Sequence, residues 1–289
     1  MSTTSKKKQY LSHKLKGGAN NEKGNRFQNH FAIFKITEYL NSYSESKAQV
    51  VFSSQVEAFV DDLLIILEEG NKEFYQIKNS KSLKWEHGNK QKSLCYDFLN
   101  QKRIEKEQNS KFRLLLIVNS VSLQLILNQS LPKSLRQHTE VGYFPYSDNV
   151  HNLVSQHLEF RQELEKLIAI SSPSIDKLEA LATAILGVWN GCNKKDISLE
   201  VIYAHLEKMS LSFIRPREIF YLSKEIQLIL DLIPNFSYIV HNNYLTWKFK
   251  NTDTGIIPFP IGSPDFEEIE IEIVIQKPSS FEALETIIA

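Results

Sequence analysis

Cysteine is almost missing from this chain of 289 residues: Cys95 and Cys192 stand far apart, with no metal-type spacing. That excludes a cysteine-rich zinc module and a disulfide framework, and it makes a reducing cytoplasm the expected compartment. Net charge is missing too. Lys plus Arg and Asp plus Glu each number 34, so no global cationic field marks a nucleic-acid binder, and any basic surface must be local. Long apolar runs are absent, residues 114–118 being typical of the longest, far below a membrane span. The opening MSTTSKKKQYLSHKLKGG is basic but has no apolar h-region, so it does not read as a secretory signal. No HExxH or paired-histidine pattern points to a zinc hydrolase, and no GxxxxGKS or GxxxxGKT points to a P-loop. A GxSxG elbow is lacking as well, which leaves serine nucleophile chemistry without support. What remains is an ordinary soluble composition, 42% hydrophobic and 24% charged, in a chain long enough for two compact units.

The charge that is present is unevenly placed. Lys6, Lys7, Lys8, Lys14, Lys16, Lys23 and Arg26 crowd the start against Glu22 alone. From Ser263 onward, Asp265, Glu267, Glu268, Glu270, Glu272, Glu282 and Glu285 face only Lys277. A basic arm over residues 1–16 and an acidic tail are the expectation, both suited to interaction. Lys14 and Lys16 are candidate DNA contacts.

After Gly17 and Gly18, which suggest a break, FQNHFAIFKITEYL has Phe27, Phe31 and Phe34 at helical spacing. AQVVFSSQVEAFV predicts one strand or two short ones. DDLLIILEE and EFYQIKNS predict a hairpin over residues 61–80. SLCYDFLNQKRIEKEQ predicts a helix, and KFRLLLIVNS a strand buried on both faces of a sheet. The expected first unit, residues 17–148, is therefore α/β on a mixed sheet flanked by helices. Residues 149–289 carry mostly helical spacing, with a small hairpin across residues 241–243. SPDFEEIEIEIVIQK alternates acidic and apolar residues and predicts a half-exposed strand.

The chemistry-bearing stretch is VDDLLIILEEGNKEFYQIKNS. Alternate strand residues share a face, so Gln76 and Lys78 point the same way. A three-residue loop over 69–71 would pair Leu64 with Gln76 and Asp62 with Lys78, whereas a two-residue turn would favour Asp61. Asp62 is preferred, because the apolar run begins directly after it. Phosphodiester hydrolysis needs a divalent ion to polarise phosphate and activate water. Mg²⁺ (or Mn²⁺) is served by oxygen ligands, often one or two carboxylates with water and phosphate. Asp62, the Gln76 side-chain carbonyl and the Ile77 backbone carbonyl are the candidate ligands. Lys78 is the candidate to orient the attacking water or stabilise developing charge. Glu38 and Glu57 are weaker acidic alternatives. Trp85, in a loop with Lys81, Lys84, Lys90 and Lys92, is a candidate to stack on or cover DNA, or to form a hydrophobic lid.

Phe27–Gln28 in a first helix, Asp61–Asp62 at a strand, Gln76–Lys78 on the next and Trp85 downstream occur in that order. The pattern resembles the restriction-endonuclease-like PD-(D/E)xK nucleases. It is closest to the effector nuclease domain of bacterial anti-phage systems, found in CBASS-associated nucleases and the Lamassu nuclease subunit. The resemblance covers residues 17–125. It implies a restriction-endonuclease-like fold and a metal-dependent DNA endonuclease, with Gln28 joining the catalytic group. Gln76 stands where the wider superfamily has Glu or Asp, although the closer effector family resembles this chain in carrying Gln. Double-stranded DNA, an SMC-like ATPase with an accessory subunit, and self-assembly in the active state are the implied partners. The second half is expected to serve assembly. A stand-alone Mrr-like restriction enzyme with a winged-helix reader and a non-catalytic scaffold are the rival expectations.

Overall fold

The computed structural model describes residues 3–42, 50–86, 93–170, 172–209, 214–215, 220–241, 243–250 and 252–288, without the side chains of residues 3–17, 19–20, 69 and 241. Lys90, Lys92 and His87, and the side chains of Lys14 and Lys16, therefore lie outside what is described. By packing, the chain divides into two compact units, Met1–Leu167 with Ser172–Leu211, and Ile168–Ser171 with Ser212–Ala289.

The first unit opens with a long helix, α1 (Thr3–Asn41), which runs through Gly17 and Gly18 rather than breaking there. Three strands follow, β1 (Val51–Ser53), β2 (Leu63–Ile66) and β3 (Lys72–Lys78). Then come α2 (Leu94–Glu107), β4 (Phe112–Val118), α3 (Val121–Gln129) and β5 (Thr139–Tyr143). Helices α4 (Val150–Gln156), α5 (Leu158–Leu167) and α6 (Ile175–Gly191) lead to a short strand, β6 (Ile197–Ser198), and to α7 (Leu199–Lys208). The six strands form one mixed sheet in the order β5-β4-β3-β2-β1-β6. Strands β3, β4 and β5 are parallel, and β2, β1 and β6 extend the sheet antiparallel.

The expected hairpin forms with a wider connection. Leu63 pairs with Tyr75 and Ile66 with Lys72, so residues 67–71 make the loop and include a 3-10 turn at Glu68–Gly70. Continuing that register sets Asp62 opposite Gln76, not Lys78. The slip is two residues, and a two-residue slip leaves every side chain on its predicted face.

Both faces of the sheet are covered, as the apolar β4 requires. On one face Phe74, Leu114, Leu116 and Val118 pack with Phe98 of α2 and with Leu123 and Leu127 of α3. On the other, the α1 stripe lies on the sheet: Phe31 meets Tyr75 at 5.3 Å between ring centroids and Phe144 edge-on at 5.4 Å. Phe34 continues the cluster to His157 and Phe160. This accounts for the departure from the expected boundary at residue 149. Helices α5, α6 and α7 pack on α1, and α4 packs on α5 and α6, so all four belong to the first unit.

The second unit holds α8 (Lys224–Asp231), a three-stranded antiparallel sheet of β7 (Phe236–His241), β8 (Tyr244–Phe249) and β9 (Asp253–Ile256), then α9 (Pro264–Gln276) and α10 (Phe281–Ile288). The β7–β8 hairpin falls where predicted. The acidic segment does not form a strand. Ser263 caps a helix with Pro264 in its first turn, and Phe266 and Ile273, seven apart, turn into a core with Leu245, Phe249 and Phe281. The local I-E-I-E-I alternation satisfies period two, yet two buried anchors seven apart fit two helical turns. No helix among the described residues is long and apolar enough to cross a membrane.

Candidate functional site

Strands β3, β4 and β5 end together at one edge of the sheet. In open α/β sheets that edge, at the carboxyl ends of the parallel strands, is where ligands bind. Asp62 reaches it from the other direction, because β2 runs antiparallel and begins there.

Four N–H groups converge on the Asp62 carboxylate. Gln28 Nε2 of α1 donates to Oδ1 at 2.9 Å. Gln76 Nε2 (2.5 Å), the Ile77 backbone N–H (2.7 Å) and Lys78 Nζ (3.3 Å) donate to Oδ2. Asp62 is 5% exposed, so water contributes little to its solvation, and the charge is held by these donors. The contact with Ile77 has a simple local origin. Strand pairing of β2 stops at Leu63, and the carboxylate takes the N–H that the next ladder position would have used. Gln28, Asp62, Gln76 and Lys78 are thus brought together as the sequence predicts, and Ile77 joins through its N–H.

Two further carboxylates crowd the same place. Gln76 Nε2 also lies 3.4 Å from Asp61 Oδ1. The Asp61 carboxyl is raised above its ordinary pKa, first by burial and then by the charge of Asp62. Asp97, in the first turn of α2, is raised as well, by burial and by Asp61, with Lys78 opposing. Among the described residues, Lys78 is the cation that acts on both Asp61 and Asp97 and also pairs with Asp62. Among the described residues there is no group of three or more His, Cys, Asp or Glu side chains that could hold a metal ion by themselves. Mg²⁺ does not need one, since one or two carboxylates with water and phosphate suffice. In this structure both Asp62 oxygens accept N–H groups, so an ion here would require Gln76 to turn its amide oxygen inward.

Beyond Lys78 the edge opens into a cleft of about 550 Å³ lined by Lys23, Asn79, Ser80, Lys81, Asn119 and Tyr146. Lys81 lines this cleft, and Lys84 is exposed nearby in sequence. Trp85 is corrected: it is 3% exposed, its ring meets Phe98 edge-on at 5.3 Å, and its Nε1 donates to the Leu127 carbonyl at 2.8 Å. An indole so enclosed is part of the core and cannot stack on DNA. Glu38 pairs with Lys35 at 2.7 Å and Glu57 is exposed, and neither contacts Asp62. The sequence reading missed Asp97, Asn79 and Asn119. The asparagines each directly follow a strand of the parallel set, which was the available signal.

No family model, no curated protein and no solved structure matches this chain.

Proposed function

We propose that the chain is a divalent-metal-dependent DNA endonuclease. The observation that carries this reading is the convergence of Gln28, Asp62, Gln76, Ile77 and Lys78 at the carboxyl edge of a mixed sheet. The order and chemistry of these residues resemble a PD-(D/E)xK centre, with Gln in the place of the second acid. Asp62, the Gln76 amide oxygen and the Ile77 carbonyl would hold Mg²⁺ or Mn²⁺. The ion, when bound, supplies Lewis acidity towards phosphate and a water of lowered pKa. Turning the Gln76 amide exchanges its NH₂ for its oxygen at nearly the same place; this gives up its bonds to Asp61 and Asp62, and the bound cation would offset that loss. Lys78, 36% exposed in its side chain and 3.3 Å from Asp62, is placed to hold the attacking water or the phosphate charge. Gln28 fixes the other carboxylate oxygen and keeps Asp62 aimed.

Resemblance rather than geometry supports the wider assignment. In it the chain is a subunit of a cytoplasmic anti-phage complex of the Lamassu kind, acting on double-stranded DNA. It is held inactive until an SMC-like ATPase and its accessory subunit release it or self-assembly joins several copies.

One observation favours a second reading. All four donors already satisfy Asp62, as they would in a purely structural clasp closing the end of β2. The two readings part at Lys78. Lys78→Met in the full-length protein, with its operon partners present, should abolish Mg²⁺-dependent cleavage of supercoiled plasmid while the thermal midpoint stays close to wild type. Full cleavage by that variant would leave only the clasp.

A further inference from the structure

Among the described residues, no carboxylate lines the cleft beside Lys78. Lys23 comes from α1, Asn79, Ser80 and Lys81 from the chain after β3, Asn119 from the position after β4, and Tyr146 from the chain after β5. Neither lysine has an ion-pair partner among the described residues, and both are exposed. Asn119 Nδ2 donates to Asn79 Oδ1 at 2.6 Å, which fixes both amides and leaves the Asn79 NH₂ group to the cleft. Asn119 Oδ1 is buried with no donor among the described residues. Tyr146 is turned by its O–H to Asp148 at 3.0 Å. Two cations and an amide N–H₂ suit a phosphate. The α3 N-terminus, capped by Ser120, begins directly after Asn119 and adds a positive dipole end.

We propose that this cleft binds one nucleotide unit of an unpaired strand, its phosphate between Lys23 and Lys81. The inference rests on the nuclease reading for its biological sense, because Asn79 directly follows Lys78 in the chain. Size sets the substrate class. About 550 Å³ lies in the range of small-ligand pockets and has room for a single nucleotide, and a base reaches such a pocket only when it is out of the duplex stack. The strand that enters is therefore an overhang, a flap or a frayed end of the DNA.

Binding in EDTA tests this without any cleavage. Full-length protein is titrated calorimetrically with dAMP and with inorganic phosphate, and by fluorescence anisotropy with a blunt duplex and the same duplex carrying a short overhang. The expected results are saturable dAMP binding tighter than phosphate, and an overhang preferred over the blunt end by about fivefold or more, that is about 1 kcal/mol. Lys81→Ala and Lys23→Ala, both at exposed positions, should each erase the preference without moving the thermal midpoint. Equal affinity for the two duplexes, or phosphate binding as tightly as dAMP, would overturn the proposal. Loss of the nuclease reading would show differently, as intact DNA under Mg²⁺ or Mn²⁺ with the overhang preference retained.

Discussion

Replacing Asp62 by Asn removes one charge and almost no volume, so its effect isolates the electrostatics of the site. Three of the four donors meet Oδ2, and Asn will turn its remaining oxygen to them. Its new NH₂ then faces Gln28, whose amide must turn over to accept. Hydrogen bonds to charged groups stabilise by about 1.5–3 kcal/mol against about 1 for neutral ones. Three bonds thus lose roughly 1 kcal/mol each. Lys78 is partly exposed, and its ion pair adds no more than about 1 kcal/mol. Relief of the repulsion between Asp61 and Asp62 offsets part of the loss. The net destabilisation is about 2 kcal/mol, which for a chain of this size lowers the thermal midpoint by roughly 4–8 °C. Differential scanning fluorimetry and urea denaturation in EDTA measure it. Added Mg²⁺ should then raise the midpoint of the wild type and leave that of Asp62→Asn unmoved, because a ligand that binds only the folded state stabilises it. An unchanged midpoint in EDTA would refute the four-donor account. Equal Mg²⁺ shifts in both proteins would refute the metal assignment.

Asp61→Asn should act oppositely and raise stability at neutral pH. The Asp61 carboxyl is raised in the fold, so the folded state favours its protonated form. Its contribution is full below the unfolded value of 3.8 and is lost as pH rises through the folded value; urea melts at acid and neutral pH should show the variant losing less than wild type. His30 is buried, and burial with Arg26 nearby lowers its pKa to about 4. Stability held above the ordinary value of 6.5 is lost as pH falls towards about 4, on the order of 3 kcal/mol, and His30→Leu should flatten that acid limb in the same melts. Trp85→Ala should cost about 3–5 kcal/mol as a core truncation. Chemical denaturation checks this, and a near-native midpoint with weakened DNA binding would return Trp85 to the surface.

Local periodicity made most of the first unit legible. The Phe27, Phe31 and Phe34 stripe and the uninterrupted apolar run of β4 named their elements because each satisfies one period over enough residues. The site was legible for a related reason: with side chains alternating along a strand, Asp62, Gln76 and Lys78 kept a common face even after the register slipped. The slip itself was hidden, because a loop over residues 67–71 contains a 3-10 turn that no Gly-Asn turn rule anticipates. Trp85 looked basic in its surroundings but is governed by tertiary packing, with Phe98 and the Leu127 carbonyl both distant in sequence. In α9 the alternation of Ile and Glu satisfied the strand period locally. Its true anchors, Phe266 and Ile273, became visible only through the core they enter. Asp97 lies on another element altogether, and its approach to Asp61 depends on the fold.

The pairing of β1 with β6 has a temporal consequence. Phe52 finds its edge partner Ile197 about 145 residues later, and α1, made first, waits for α5 and α6 to cover its aromatic side. A ribosome adding roughly 5–20 residues per second reaches that partner on the order of ten seconds after β1 emerges. During that interval the growing chain already contains Asp62 and Lys78, yet the sheet that aligns them has an unpaired edge and an uncovered face. The arrangement around Asp62 is therefore completed late in synthesis. A prematurely terminated chain ending near residue 149 would carry every residue of the candidate site on a scaffold still lacking one strand and four helices.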